Sequence, residues 1–277
     1  MKGLLFILLG TCMMFAQNNR FIYEVKYKKD STSKDITMEN YYLDITKEDI
    51  AYYNRLNYIN DSIFSVTGQY TSGRLTSFLI KKKGNNVFQN YEYIGDVNFY
   101  KISDEANQQW SISDSIKVFD NLKLQKATTQ FGGRNWIAWF TKDIPMAYGP
   151  YKFNGLPGLI MELYDTKKNY YFKVIKSEKI ADDYQRNSLN NYILRAISVT
   201  QKDLNKLRLD LYSNPFKYIF NGNLTMREGQ KLQLDDGTIL TKEQLKPAET
   251  NERKKLKAFN NPIELDKAVK YPNECVL

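Results

Sequence analysis

The sequence predicts an α+β, strand-rich fold: a single large antiparallel β-sheet with helices mainly in the C-terminal third. Short runs of alternating apolar and polar residues recur along the first two thirds, each bounded by turn residues. Tyrosine, whose ring packs well on a pleated face, occurs 21 times in 277 residues. A clear helical period emerges only beyond residue 200.

Phe21 to Lys28 alternates as a first strand. Met38 to Thr46 and Ile50 to Asn54 follow it, set off by the turn stretches Asp30-Ser31-Thr32-Ser33 and Lys47-Glu48-Asp49. Ser77 to Lys82 and Val87 to Ile94 flank Gly84-Asn85-Asn86 as a hairpin, with Lys81-Lys82-Lys83 as its end in water. Phe99 to Ile102, Trp110 to Ile112, Leu122 to Thr128 and Asn135 to Thr141 continue the pattern. Leu159 to Tyr164 and Tyr170 to Ser177 make a further hairpin around Asp165-Thr166-Lys167-Lys168-Asn169. Connections this short join antiparallel neighbours, because a parallel pair needs a crossover of a dozen residues or more. The pairs Tyr41-Tyr42, Tyr52-Tyr53 and Tyr170-Tyr171 read as sheet surface, with a sugar-binding platform as the alternative.

Thr200 and Asp203 resemble a capping box. The helix they open carries Leu204, Leu207 and Leu211 on one face and ends near Tyr212, before Asn214-Pro215. Leu232 to Leu240 is strand-like around the turn Asp235-Asp236-Gly237, and Thr241 to Phe259 reads as helical pieces interrupted at Pro247.

Lys2, the apolar stretches Leu4 to Leu9 and Met13 to Phe15, and Ala16 form a secretory signal with cleavage before Gln17. The expected products are a signal peptide at 1–16 and one domain at 17–277, periplasmic or secreted. The apolar stretch falls short of the roughly 20 residues that a membrane-spanning helix needs. Acylation at Cys12 is the weaker alternative, because Thr11 stands where a smaller residue is expected. Once Cys12 leaves, Cys275 has no partner for an intramolecular disulfide, and a chain of this size buries a core without one.

There is no histidine. That excludes Ser-His-Asp and Cys-His nucleophiles, HExxH zinc chemistry and ordinary zinc sites. No metal or cofactor is expected. The net charge of +9 includes no stripe dense enough for nucleic acid, while peripheral contact with an anionic membrane surface stays open.

Residues 126–160 stand apart. They hold Phe131-Gly132-Gly133-Arg134, Ala138-Trp139-Phe140-Thr141, Gly149-Pro150-Tyr151-Lys152-Phe153 and the hexapeptide Gly155-Leu156-Pro157-Gly158-Leu159-Ile160. Asn260-Asn261-Pro262-Ile263-Glu264-Leu265 lies near the end. Together these closely resemble the GLPGLI family of exported Bacteroidetes proteins. The resemblance implies an envelope location and, as partner, a component of TonB-dependent outer-membrane transport or another envelope protein. It supplies no reaction.

Physics accounts for much of the motif. Pro157-Gly158 fits the centre of a type II turn, with Gly158 at positive φ, and Gly149-Pro150 fits a second turn. Trp136, Trp139 and Phe140 suit a core. Polar groups embedded there, together with two of the tryptophans, supply the candidate binding set: Arg134, Trp136, Trp139, Asp143, Lys152 and Glu162. No catalytic residue is assigned. Asp143 and Glu162 would act as a glycosidase pair only across a shared cleft, and Glu162 alternates with apolar neighbours as if on the solvent face of its strand.

Three function classes follow. The leading one is a non-enzymatic envelope accessory that binds a ligand or partner. The second is a carboxylate-based, histidine-free hydrolase of extracellular polymers. The third is a carrier of a lipid-like ligand in a curved sheet. An apolar cavity lined by aromatics favours the carrier, convergent carboxylates in an open cleft favour the hydrolase, and a closed core with an exposed apolar patch favours a partner.

Overall fold

A computed structural model describes residues 18–69, 76–94, 99–216, 229, 231–233 and 238–272. Strands β1 (Asn18–Tyr27), β2 (Thr37–Ile45) and β3 (Asp49–Asn54) form a meander. Helix α1 (Arg55–Thr67) interrupts it before β4 (Phe78–Lys82), β5 (Val87–Tyr93) and β6 (Phe99–Glu105). A second meander comprises β7 (Ser111–Phe119), β8 (Leu122–Phe131), β9 (Arg134–Thr141), β10 (Leu159–Asp165) and β11 (Tyr170–Ile180). There follow α2 (Asn187–Arg195), β12 (Ile197–Ser198), α3 (Gln201–Ser213), the pair β13 (Leu232–Gln233) and β14 (Ile239–Leu240), and α4 (Leu245–Ala258).

Twelve strands make one sheet in the order β12-β6-β5-β4-β3-β2-β1-β11-β10-β9-β8-β7. Every pairing is antiparallel except β12 with β6. The two meanders meet at β1 and β11, paired along the whole of β1. Residues 106–110 alone join β6 to β7, ten strand positions away. In a flat sheet that separation is about 48 Å, at about 4.8 Å per strand. Six Cα–Cα steps reach about 22 Å at most. The sheet therefore rolls up.

The concave face is the one that meets residues 142–158, a plug between β9 and β10. Phe153 and Leu156 of the plug are each 1% exposed and pack with Tyr23, Leu43, Trp136, Phe140 and Phe172. The crossing segment is tied to the plug: the Asn154 Nδ2 donates to the Ala106 carbonyl at 3.0 Å, and the Trp110 Nε1 donates to the Asn154 carbonyl at 2.8 Å. On the convex face, α1 and α2 set Tyr58, Leu189 and Tyr192 against Ile22, Tyr42, Phe78 and Phe99. Helix α3 begins as expected, with Thr200 Oγ1 accepting from the Asp203 backbone N–H, and lays Leu204 beside Tyr100 and Ile102.

Helices α1 and α2 lie outside the elements read from the sequence. The buried residues of α1 are the polar Asn57 and Asp61, while Leu56, Ile63 and Val66 are exposed. Leu56, Ile59, Ile63 and Val66 do recur at helical spacing, but that stripe is not the face packed on the sheet. Asp61 accepts the Ser188 backbone N–H at 2.7 Å and so caps α2 from a neighbouring helix. Nearby, Arg20 is held by Asp44 at 2.7 Å and ringed by Tyr42, Tyr58 and Tyr184. Pro247 does not interrupt a helix. It is the third residue of α4, within the first turn, where no intrahelical N–H is needed. Lys81 is not in water: it is buried, its ammonium over the rings of Phe88 and Tyr148. The signal region, Asp235-Asp236-Gly237 and Cys275 lie outside the described residues.

The hexapeptide turn also differs from expectation. The Gly158 backbone N–H donates to the Leu156 carbonyl at 2.8 Å, which makes a three-residue γ-turn on Pro157 in place of a type II turn. Glycine is required because a Cβ at Gly158 would lie 1.9 Å from the Thr141 carbonyl oxygen. The second turn spans Pro150 to Phe153 and places Tyr151 at φ 57°, a left-handed conformation unusual for a non-glycine residue. Gly155 has φ +92° but open space around it, its nearest neighbour being Trp110 Cδ1 at 4.0 Å. The two motif glycines should thus differ. Urea unfolding of Gly158→Ala should show a loss of more than about 3 kcal/mol, since backbone must move, and of Gly155→Ala about 1–2 kcal/mol from conformation alone. Equal losses would contradict this account of the motif.

Candidate functional site

Strand alternation assigns each member of a tyrosine pair to a different face. Tyr41, Tyr52 and Tyr170 point inward and border a cavity of about 340 Å³, while Tyr42 and Tyr53 join the convex core. These inward rings are not open sheet surface, and the reading of the pairs as surface is corrected by the roll of the sheet. Val25, Leu79, Ile102 and Phe172 continue the cavity wall. Its roof comes from later in the chain: Gln201, Leu204 and Arg208 of α3, and Phe259, Ile263 and Glu264 of a strap at residues 259–268.

At one end sits a square of alternating charge. The Lys152 ammonium, on the plug, lies 2.6 Å from Asp104 of β6 and 2.5 Å from Glu264 of the strap. The Lys267 ammonium pairs with the same two carboxylates, 2.6 Å from Glu264. Tyr151 donates its hydroxyl to Glu264 at 2.5 Å, and the Lys152 side chain is 2% exposed. Burial pushes the Asp104 carboxyl up, but hydrogen bonds from Lys152 and Lys267 outweigh it and hold the group below its ordinary value. Burial pushes Lys267 down, and the same carboxylates bring it above its usual value.

A second ion pair lies beneath α3. Arg208 Nη2 is 3.3 Å from Glu92 on β5, and Glu92 also accepts from Ser77 Oγ at 3.0 Å and Asn90 Nδ2 at 2.8 Å. Burial raises the Glu92 carboxyl, yet the Arg208 charge and these hydrogen bonds leave it below its ordinary value. The cavity carboxylates Asp104 and Glu92 are thereby kept as anions near neutral pH.

Arg134 holds the strap. Its guanidinium donates to Asn261 Oδ1 at 2.6 Å, to the Pro262 carbonyl at 2.7 Å and to the Ile263 carbonyl at 3.0 Å, with Asp165 at 3.4 Å. Asn261 in turn donates to the Lys28 carbonyl at 2.8 Å. The turn glycines that precede Arg134 leave room: a Cβ at Gly132 would lie 2.9 Å from Glu264 Cα, and the Leu265 N–H donates to the Gly132 carbonyl at 2.7 Å.

Of the six candidates read from the sequence, Lys152 alone borders the cavity. Arg134 fixes the strap. Trp136 is a core residue at 0% exposure, its indole N–H on the Phe131 carbonyl. Trp139 lies on the convex face opposite Glu162 in the β9–β10 register. Glu162 does not face water: it is 7% exposed and paired with Lys117, whose ammonium sits over the Trp139 ring. Asp143 is exposed on the turn after β9, held by Thr141. Neither Asp143 nor Glu162 borders the cavity, so they do not form a facing pair across it. Sequence reasoning missed Asp104, Glu92, Arg208 and Lys267. Their partners lie 48 to 163 residues away along the chain for Asp104, and no local spacing announces them.

Residues 81–162 match a family model described as a protein of unknown function (Porph_ging). That span includes β5 to β9, the crossing segment, the plug and the first four residues of β10. No curated protein matches the chain. Solved structures of similar fold include those of PNGF-II in the P21 and C2 space groups, each with a TM-score of 0.52, at 14% and 13% identity. They cover 69% of this chain, which spans only 33% and 32% of theirs. At such identity the likeness is one of fold.

The square supplies a stability test. Lys152→Met leaves Asp104 and Glu264 with Lys267 alone and should cost about 3–5 kcal/mol at pH 7, as expected when one partner of a buried pair is removed. In wild type, the part of stability contributed by the lowered Asp104 and Glu92 is full above their ordinary values of 3.8 and 4.5 and fades as pH falls through the folded values. In the variant, acid instead neutralises uncompensated carboxylates. Urea melts from pH 7 down to about 4 should therefore show the gap between the two proteins narrowing.

Proposed function

We propose that this is an exported, non-enzymatic ligand-binding protein of the GLPGLI type, and that its ligand occupies the cavity under the strap. One observation carries the reading: a cavity of about 340 Å³, within the size range of ligand sites, bordered by aromatic and aliphatic side chains with a few ionic groups at its ends. This is the arrangement that favours a carrier over the other classes. A hydrolase of the carboxylate type needs a general acid with a raised pKa. Asp104 and Glu92 are held the other way, each tied to a cation. Export rests on the pattern Lys2, Leu4 to Leu9 and Ala16. An accessory role beside an outer-membrane transport component rests on the family resemblance alone.

A neutral fluorescent dye tests the site without knowledge of the natural ligand. N-phenyl-1-naphthylamine should bind the mature protein at one equivalent, with blue-shifted emission and a Kd on the order of micromolar. Leu204→Trp, which fills the cavity from α3, should abolish that signal while the protein keeps its fold by circular dichroism. Equal dye binding by wild type and a folded Leu204→Trp would place the ligand elsewhere, and no binding by wild type would overturn the proposal.

A further inference from the structure

We infer that the cavity selects an uncharged ligand with an apolar body and a hydroxyl- or amide-bearing head, and that Glu92 and Arg208 read the head; this rests on the ligand-binding reading above.

Charge balance at the cavity favours a neutral ligand. Three acidic and three basic side chains border the cavity, and each is already matched within the protein. Lys152 and Lys267 answer Asp104 and Glu264, while Arg208 answers Glu92. An ionic ligand would enter with no counter-charge left to meet it, and a buried unpaired charge is strongly disfavoured.

Hydrogen-bonding capacity favours a head that both donates and accepts. Arg208 carries five N–H donors and directs Nη2 to Glu92. The Glu92 carboxylate, bonded through Ser77 Oγ and Asn90 Nδ2, stands beside it as an acceptor. Donor and acceptor side by side suit a group that both donates and accepts, which an alcohol or amide does and a carboxylate or ammonium does not. The Thr76 hydroxyl, on the same wall, is buried without a hydrogen-bond partner among the described residues.

Ring geometry sets the body of the ligand. Tyr41 stacks on Tyr52 at 5.1 Å and 10°, and Tyr27 on Tyr170 at 5.7 Å and 8°. These rings spend faces on one another, leaving less open face for a sugar to lie on. The remaining wall is aliphatic, from Val25, Leu79, Ile102 and Leu204. An alkyl or alicyclic body packs there.

A matched series reads the head alone. Octanol, octanoate and octylammonium share one body, and calorimetric titration at pH 7 compares them on the mature protein, with maltose as a sugar control. Octanol should bind at least about tenfold more tightly than either ion. Glu92→Gln leaves Arg208 unanswered and should turn the preference toward octanoate. Arg208→Gln leaves Glu92 unanswered and should turn it toward octylammonium, so either variant suffices if the other fails to fold. Wild type that prefers an ion, or folded variants with unchanged preference, would overturn the assignment of the head while leaving ligand binding intact. Maltose binding without octanol binding would overturn the apolar body in favour of a sugar. Failure of the whole series together with the neutral dye would overturn the ligand-binding reading itself.

Discussion

Five residues between β6 and β7 govern this molecule. A connection that short cannot bridge ten strand positions unless the sheet curls, and a curled sheet encloses an interior that something must fill. The plug fills it, bringing Phe153 and Leu156 into the core. Lys152 enters with them, because it lies between Tyr151 and Phe153 on the same tight turn. A buried ammonium needs anions, and Asp104 and Glu264 supply them. Glu264 comes from the strap, so the far end of the chain is drawn across the concave face.

The charge square is better understood as a device of specificity than as a source of stability. Taking ions out of water offsets most of what their attraction gains, so the net contribution of the intact square is small. Losing a member is costly, and that asymmetry fixes β6, the plug and the strap in one arrangement. Apolar burial on both faces of β1 to β4 supplies the main driving force, inward around Tyr23 and Leu43 and outward around Tyr42 and Tyr53. The motif residues then take separable tasks. Gly158 lets two backbones touch, Gly132 lets the strap approach, and Arg134 binds the strap's carbonyls.

Much of the sheet was legible because it is built from hairpins with polar turns, which local alternation reports faithfully. Its strands, its antiparallel pairing and the capped start of α3 follow from neighbours a few residues apart. The roll of the sheet was not legible from periodicity, since a period of two residues carries no curvature. It becomes visible only when strand order is set beside the length of the crossing segment. Helix α1 inverts the usual pattern: Leu56, Ile59, Ile63 and Val66 recur at helical spacing, yet the buried residues are Asn57 and Asp61. Among site residues, Lys152 stood out inside its motif, whereas Asp104, Glu92 and Arg208 look like ordinary surface charge until the fold gathers them. Glu162 misled for the opposite reason: alternation placed it correctly on the convex face, but Lys117 and Trp139 bury that spot.

The strap is an integral wall of the cavity. Hydrogen exchange of the wild-type protein tests this directly, through the Leu265 amide bound to the Gly132 carbonyl and the Asn261 amide bound to the Lys29 carbonyl. Both should exchange as slowly as the amides of the β1–β11 seam, in one cooperative unit with the sheet. Exchange at those two positions on the timescale of a frayed terminus, while the seam stays protected, would show that the strap is not part of the closed structure and would contradict the account.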